Sequence, residues 1–121
     1  MAALDRGFWS GKRVLLTGHT GFKGSWAAVW LKDLGAEVTG LALAPDQTPA
    51  LFDLAGVEGL VASRIVALRD GPEVEAELAG RPFDLVLHMA AQPIVRAGVA
   101  DPVATFAANV IGTANLLQAL R

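Results

Sequence analysis

The strongest constraint on the fold is a set of three evenly spaced glycines, Gly18, Gly21 and Gly24, which lies where an apolar run changes into a helical pattern. Residues 12–17 form a short apolar run that includes β-branched side chains, which is typical of a buried strand. Residues 22–34 carry large apolar side chains three and four positions apart, and a glycine follows them, as in a helix and its C-terminal cap. The sequence therefore predicts a strand that turns directly into a helix through a glycine-rich loop.

Each glycine in this loop has a mechanical interpretation. Gly18 permits a tight turn after the strand, Gly21 lets the main chain approach a diphosphate, and Gly24 lets the helix pack close to the sheet. The N-terminus of the helix offers free N–H groups and a partial positive charge to phosphates. Lys23 adds a formal charge, and the Thr20 hydroxyl adds a hydrogen-bond donor. An ordinary turn with incidental glycines is the alternative.

The rest of the chain repeats the alternation of strand and helix. Further strands are predicted at 37–43, 64–68 and 83–88, and helices at 72–79 and from Asp101, a helix-capping residue, to about position 120. Apolar strands separated by helices imply a parallel sheet that is covered on both faces. We therefore expect one α/β domain over residues 1–121, a partial Rossmann fold with a parallel sheet of about four strands and helices on both faces.

Composition excludes several classes of function. The net charge of −2 and the scattered basic residues give no reason to expect nucleic acid or an anionic membrane as a partner. The chain has no cysteine and only two histidines, without metal-ligand spacing, so we expect no disulfide, thiol nucleophile or metal site. Charged residues near the N-terminus argue against a signal peptide. We expect no window of about 18 uncharged apolar residues, and therefore no transmembrane helix. A cytoplasmic protein is the resulting expectation.

Three further motifs carry a family resemblance. His88-Met89-Ala90-Ala91 at the end of strand four, Asn109-Val110-Ile111-Gly112-Thr113 on the following helix and Arg69-Asp70 after strand three accompany the glycines. Together these motifs resemble the extended short-chain dehydrogenase/reductase group, the NAD-dependent epimerase/dehydratase family, across nearly the whole chain. The segments Thr17-Gly-His-Thr-Gly-Phe-Lys-Gly-Ser-Trp26 and Ala90-Ala-Gln-Pro93 narrow the resemblance to the CDP-glucose 4,6-dehydratases within it.

The resemblance implies a lyase that holds NAD and regenerates it within one turnover. The cofactor takes hydride from the sugar, water is eliminated, and the hydride returns, so that CDP-glucose would become CDP-4-keto-6-deoxyglucose for deoxysugar and polysaccharide biosynthesis. The family's catalytic Tyr-x-x-x-Lys motif has no counterpart here, because the chain contains no tyrosine. We therefore expect no catalytic residue in this chain, which would be an N-terminal portion that is inactive alone, and a homo-oligomer for the full-length enzyme.

The resemblance also implies the site residues. The expected cofactor-binding residues are Gly18, Thr20, Gly21, Phe22, Lys23, Gly24, Leu68, Ala90, Ala91 and Asn109, and the expected substrate residues are Gln92 and Arg96. Ala44 and Ala67 depart from the family, because acidic residues are expected there for the adenosine ribose and the adenine. NAD is still favoured over NADP, since no arginine follows strand two.

Several alternatives stay open from the sequence. The protein could be a nucleotide-sugar epimerase, another dehydratase, or a non-catalytic nucleotide-binding module. His19 is interpreted either as a neighbour of the diphosphate or as a plain turn residue, and His88 as a core histidine bonded to the backbone. The resemblance implies that Asn109 tethers the region of strand four, and a solvent-facing side chain is the alternative. Trp26 and Trp30 are expected to pack in the core or at an interface.

Overall fold

The computed structural model describes residues 3–121 and contains one four-stranded sheet. The strands are β1 (Arg13–Thr17), β2 (Glu37–Ala42), β3 (Ala62–Ile65) and β4 (Leu85–His88). They lie in the order β3-β2-β1-β4, and every pair is parallel. The expected parallel α/β fold of about four strands is therefore confirmed.

Helices connect the strands and cover both faces. Their bounds are α1 (Arg6–Trp9), α2 (Phe22–Asp33), α3 (Leu51–Leu54), α4 (Gly71–Leu78), α5 (Val95–Ala100), α6 (Pro102–Phe106) and α7 (Gly112–Leu120). A short 3₁₀ turn at Val57–Gly59 precedes β3, and a π-helical turn at Ala107–Ile111 joins α6 to α7. Together α6, this turn and α7 form one long helix, Pro102–Leu120, which we call the C-terminal helix.

The core divides at the central strand. Successive side chains of a strand point to opposite faces. Val14 and Leu16 accordingly enter one buried cluster beneath α2, and Leu15 enters the other, which contains Leu116 of α7. Strand β1 is therefore buried on both faces, which explains why its sequence is a continuous apolar run rather than an alternating one.

Two predicted strands are displaced from their observed positions. The third strand is predicted at 64–68, but β3 ends at Ile65. Val66 and Leu68 are buried although they lie beyond the strand, so the apolar run marks the core and not the ladder. The fourth strand begins at Leu85 rather than at 83.

Two short helices are not predicted by the sequence pattern. The first, α1, is a single turn whose N-cap Asp5 accepts hydrogen bonds from the N–H groups of Gly7 and Phe8. The second, α5, has no side-chain cap and lies in the loop after β4. Neither is long enough for a helical period to stand out in the sequence, which is why pattern alone misses them.

The C-terminal helix begins as predicted, at Asp101, whose carboxylate accepts a hydrogen bond from the N–H of Ala104. Much of its apolar surface is exposed, including Val103, Phe106 and Leu117. The stretch Pro102–Leu120 contains no charged residue, has a mean hydropathy of 1.3 and is long enough to cross a membrane by those measures alone. This corrects the expectation that no such uncharged window exists. Length and composition are weak evidence for a span, because helices in soluble proteins pass the same test.

Candidate functional site

The glycine-rich loop, residues 18–24, which we call the glycine loop, lies at the carboxyl end of β1. It is between the end of β2 and the end of β4. Gly18 has a φ of +79°, which only glycine adopts without strain. Its N–H donates to the Leu41 carbonyl, 3.0 Å away. A Cβ at this position would lie 2.7 Å from the main-chain nitrogen of Ala90, so the loop and the segment after β4 are in main-chain contact. The tight turn predicted for Gly18 is confirmed.

Gly24 is required by the packing of α2 against the loop. It is buried, and a Cβ there would lie 1.9 Å from the Gly18 carbonyl oxygen. No rearrangement of a flexible side chain relieves that overlap, because the obstacle is main chain. Gly24 is predicted to let the helix pack close to the sheet; the close contact that the structure shows is instead with the main chain of the loop after β1.

Gly21 differs from both neighbours. It is exposed and forms the N-cap of α2 with no side-chain hydrogen bond, and a Cβ there would approach only the Gly18 carbonyl oxygen, at 3.4 Å. That distance is ordinary contact, so nothing within the chain requires glycine at this position. The space that the missing side chain leaves open lies on the solvent side of the helix N-terminus.

This helix N-terminus has the properties of an anion site. Helix α2 has 12 residues, no acidic residue in its first turn and no capping side chain, so its first N–H groups have no side-chain acceptor. Phe22 and Lys23 are exposed beside these groups. Main-chain donors, a helix dipole, one lysine and an open space above Gly21 fit a diphosphate. The residues at this helix N-terminus therefore fit the diphosphate of a dinucleotide cofactor.

Thr20 and Ser25 hold the loop rather than project from it. The Thr20 hydroxyl donates to the Leu43 carbonyl at 2.7 Å, which fastens the loop to the end of β2. The buried Ser25 hydroxyl donates to the His19 carbonyl at 2.9 Å, which fastens it to the first turn of α2. The Thr20 hydroxyl, expected to contact a cofactor, is engaged with the chain itself in this structure.

His19 lies in neither of the expected places. Its ring is fully buried beneath the loop and is neither beside the open space nor in solvent, as a turn residue would be. Its Nε2 lies 2.7 Å from the Ser63 hydroxyl on β3, and no partner is found for Nδ1 among the described residues. Burial lowers the pKa of His19 to about 4, so the ring is neutral at pH 7.

A second network fastens the other side of the loop. The Thr17 hydroxyl accepts hydrogen bonds from the N–H groups of Met89 and Ala90, so its single proton is donated to His88 Nδ1, 2.6 Å away. His88 Nε2 therefore carries the ring proton and donates to Thr113, whose own hydroxyl donates to a main-chain carbonyl. His88 is expected from the sequence to bond backbone, but both of its partners are threonine hydroxyls.

The loop after β4 is tied to the π-helical turn. Asn109 accepts a hydrogen bond from the N–H of Gln92 at 2.7 Å and donates to the Gln92 carbonyl at 3.1 Å, which is the tether expected of it. The Gln92 side chain bonds Ile94 main-chain groups and the Thr105 hydroxyl. Arg96 is exposed on α5. Gln92, expected to meet substrate, is therefore occupied within its own loop.

The remaining expected site residues lie around the same edge. Ala90 is half-buried and Ala91 exposed after β4, whereas Leu68 is buried with its carbonyl accepting from Asn115. Ala44 is exposed just after β2. No carboxylate stands at Ala44, so this chain offers no acidic partner there for an adenosine ribose.

Sequence patterns miss the hydroxyl residues whose hydrogen bonds support the loop. Thr17, Ser25, Ser63 and Thr113 make the bonds described above, but isolated hydroxyls give no signal in a pattern. Trp26 and Trp30 are more than half exposed, so they are not core residues. In the described part of the chain, no group of three potential metal ligands occurs.

Comparison with protein families identifies a match over nearly the whole chain. The model described as the NAD dependent epimerase/dehydratase family matches residues 14–121. That range includes the glycine loop, both networks and the C-terminal helix.

Individual relatives share the same region. CDP-glucose 4,6-dehydratase of Salmonella typhimurium is 43% identical over 98% of this chain, and UDP-glucuronate 4-epimerase 1 of Arabidopsis thaliana is 33% identical over 89%. The chain spans 33% and 26% of the lengths of these two proteins.

Solved structures agree on the fold. The UDP-glucose 4-epimerase of Thermus thermophilus in complex with NAD has a TM-score of 0.76 and 38% identity, over 88% of this chain and 33% of its own. A UDP-glucose-4-epimerase of Stenotrophomonas maltophila, solved with bound NAD and formylated UDP-arabinopyranose, has a TM-score of 0.76 and 28% identity, over 90% and 33%. The described chain thus has the Rossmann-like fold of these structures.

Proposed function

The chain belongs to the NAD dependent epimerase/dehydratase family, and on that premise we propose that it is the NAD-binding portion of a nucleotide-sugar 4,6-dehydratase. The observation that carries the proposal is the vacant side-chain position at Gly21, above an uncapped helix N-terminus. Gly18 and Gly24 are glycines because main chain crowds them, whereas Gly21 is not crowded. A diphosphate that lies against the main chain supplies the missing reason.

Five residues would hold the phosphates. The N–H groups of Phe22 and Lys23 would donate to phosphate oxygens, the uncrowded Gly21 would leave room for them, and the Lys23 ammonium would add charge. Gly18 would allow the close turn, and Gly24 would bring the helix to it. NAD, when bound, supplies hydride acceptance and return at the sugar, and the chain supplies position and charge.

The segment after β4 would form the side of the site next to the reacting groups. Ala90 and Ala91 present small side chains and main chain there, held against Gly18 by the Thr17 hydroxyl. Gln92 and Arg96 lie farther along the same loop, and an exposed arginine is suited to a nucleotide-sugar phosphate. Gln92 would act by fixing the loop, or would contact substrate only after leaving Thr105.

The substrate proposal is CDP-glucose, converted to CDP-4-keto-6-deoxyglucose. It is supported by the 43% identity with a CDP-glucose 4,6-dehydratase over 98% of this chain, against 33% and 38% with two 4-epimerases. Because the chain spans about a third of those relatives, we propose that the catalytic tyrosine and most substrate contacts belong to residues outside these 121. We further propose that the exposed apolar side of the C-terminal helix is covered in a homo-oligomer.

A nucleotide-sugar 4-epimerase is the second candidate. The UDP-glucose 4-epimerase of Thermus thermophilus, which was solved in complex with NAD, is 38% identical to this chain. Both reactions begin with hydride transfer to the same kind of cofactor, so the glycine loop serves either. The two reactions differ in whether water is eliminated after that step, which the glycine loop does not decide.

Two alanine variants test the cofactor site. Isothermal calorimetry of the chain with NAD should show binding for the wild type and a loss of about 100-fold or more for Gly21→Ala, because the new methyl group occupies the space of the diphosphate. Gly59→Ala is the matched control, since a Cβ there meets nothing within 4 Å and lies in the 3₁₀ turn. Both variants should melt near the wild-type temperature.

The outcome that contradicts the proposal is equally definite. Equal NAD affinity for wild type, Gly21→Ala and Gly59→Ala would show that the space above Gly21 holds no diphosphate. Absence of NAD binding to the folded wild type would exclude the cofactor site altogether.

A further inference from the structure

The feature that the proposed function leaves unexplained is the buried ring of His19. Its Nδ1 has no partner among the described residues, and the ring is fully inaccessible. A buried polar atom without a hydrogen bond is unfavourable, and an apolar side chain would fill the same volume without that deficit. A residue that served packing alone would therefore not be histidine.

Three elements converge on this ring. His19 Nε2 bonds the Ser63 hydroxyl at 2.7 Å, and Ser63 lies directly opposite Gly40 in the β2–β3 ladder. A Cβ at Gly40 would lie 2.4 Å from the ring, so the glycine in β2 makes the room that the ring occupies. Phe52 meets the ring edge-on, with centroids 5.6 Å apart. Glycine in a strand interior weakens the strand, so its presence here is explained by the ring.

The main chain of the same residue is fixed as well. The His19 carbonyl accepts the Ser25 hydroxyl, and the next residue, Thr20, is fastened to the Leu43 carbonyl. His19 is thus held at its ring by β3 and at its carbonyl by α2. The residue that follows Thr20 is Gly21, whose N–H donates to the Gly18 carbonyl at 3.1 Å and which forms the N-cap of α2.

On these grounds we propose that His19 is a positioning residue, which locks the glycine loop in its binding conformation before the cofactor arrives. The inference rests on the proposed NAD site. The lock is the hydrogen bond to Ser63 in the space left by Gly40, and it acts through the main chain of residues 19–21. Preorganisation of this kind raises affinity, because the loop is already ordered and binding does not have to order it.

The test compares His19 with Val74, which is equally buried but lies in α4 in the other core cluster. His19→Ala should weaken NAD binding about tenfold, because the loop must then be ordered on binding. Val74→Ala should lower the melting temperature of the chain but leave NAD affinity unchanged below that temperature. His19→Gln, whose amide nitrogen can reach Ser63, should restore affinity to within about threefold of the wild type.

Ser63 supplies the second half of the test. Ser63→Ala should also weaken NAD binding, and the double variant His19→Ala/Ser63→Ala should be no weaker than His19→Ala, because both substitutions remove the same bond. Additive losses would show two independent effects and would overturn the lock. Equal NAD affinity for His19→Ala and Val74→Ala would overturn it as well.

Hydrogen exchange without NAD separates this inference from the proposed function. If His19 locks the loop, His19→Ala should speed exchange of the Gly21 and Ser25 N–H groups, which bond to Gly18 and Gly21 carbonyls in the wild type. Unchanged exchange would contradict the lock even if NAD binds. A wild-type chain that binds no NAD would refute the cofactor site, while faster exchange in His19→Ala would still show that the ring orders the loop.

Discussion

The two ends of the parallel sheet are built for different purposes. At the amino end, a side chain joins the start of β1 to the start of β4. Asp84 accepts three hydrogen bonds from Arg13, from the main-chain N at 2.8 Å, Nε at 3.2 Å and Nη2 at 3.0 Å. At the carboxyl end, the first turn of α2 has no capping side chain, and Gly21 leaves open space above it.

The difference predicts that cofactor binding, unlike stability, depends on the carboxyl end alone. An open groove of about 560 Å³ does lie at the amino end, lined by residues such as Arg13, Glu37 and Arg81. None of the residues that line this groove begins a helix, so no helix N-terminus lies in its wall. The carboxyl end has such an N-terminus beside an unfilled space, which is where ligands bind in open α/β sheets. Substitutions at the two ends should therefore have separable effects.

The largest effect is expected at Gly24. In Gly24→Ala the new Cβ overlaps the Gly18 carbonyl, so the loop and α2 must separate. We expect a loss of about 3 kcal/mol or more in the free energy of unfolding, at the upper end of overpacking effects, together with loss of NAD binding. Urea denaturation followed by circular dichroism measures the first and calorimetry the second. A variant of wild-type stability would show that the close contact is not rigid.

Acid should lower the free energy of unfolding, because the His19 ring is buried in its neutral form beneath the loop. Burial lowers the pKa of His19 to about 4 from an ordinary value of 6.5, so the unfolded chain binds protons more readily than the folded one in this range. The contribution of the neutral His19 ring to the free energy of unfolding is fully present above pH 6.5. It is lost as the pH falls through 4, and the loss reaches about 3 kcal/mol. Burial lowers the pKa of His88 too, in the same direction.

His19→Gln separates the two histidines. Denaturation of the wild type and the variant between pH 7 and 4 should give a clearly flatter profile for the variant, with the remaining slope due to His88 and, near pH 4, to Asp84. Parallel profiles for the two proteins would mean that His19 is protonated as easily in the folded chain as in the unfolded one.

The smallest effect on stability is expected at the amino end, at Asp84. Hydrogen bonds from Arg13 lower the pKa of Asp84 to about 2, so its contribution to stability is present above about pH 4 and is lost as the pH falls through 2. Asp84→Asn should lower the melting temperature slightly at pH 7 and leave NAD affinity unchanged. Glu58→Gln, in the 3₁₀ turn, is the control for loss of one negative charge. Weaker NAD binding in Asp84→Asn alone would break the separation of the two ends.

The sequence predicts the parts of the molecule that are set by short-range rules. The spacing of the three glycines, the capping residue Asp101 and the apolar run of β1 each act within a few positions, so the fold class and the loop follow from them. The end of β3 does not follow, because Val66 is buried by contacts that lie outside the strand.

The supports of the site could not be predicted, because they join residues far apart in sequence. Thr17 and His88 are 71 positions apart, and His19 and Ser63 are 44 apart. Nothing local shows that the His19 ring turns inward, since its place depends on Gly40 in the neighbouring strand. The sequence predicts the glycine loop, and the structure identifies the side chains that hold that loop in place.

The most direct test of the carboxyl-end site is an ¹⁵N–¹H correlation spectrum of the chain during titration with NAD. If the diphosphate binds the open helix N-terminus, the N–H resonances of Gly21, Phe22 and Lys23 should shift most, in a saturable manner. The resonances of Arg13, Glu37 and Arg81 around the amino-end groove should stay in place. The opposite pattern, with shifts at the groove and none at the glycine loop, would contradict the site.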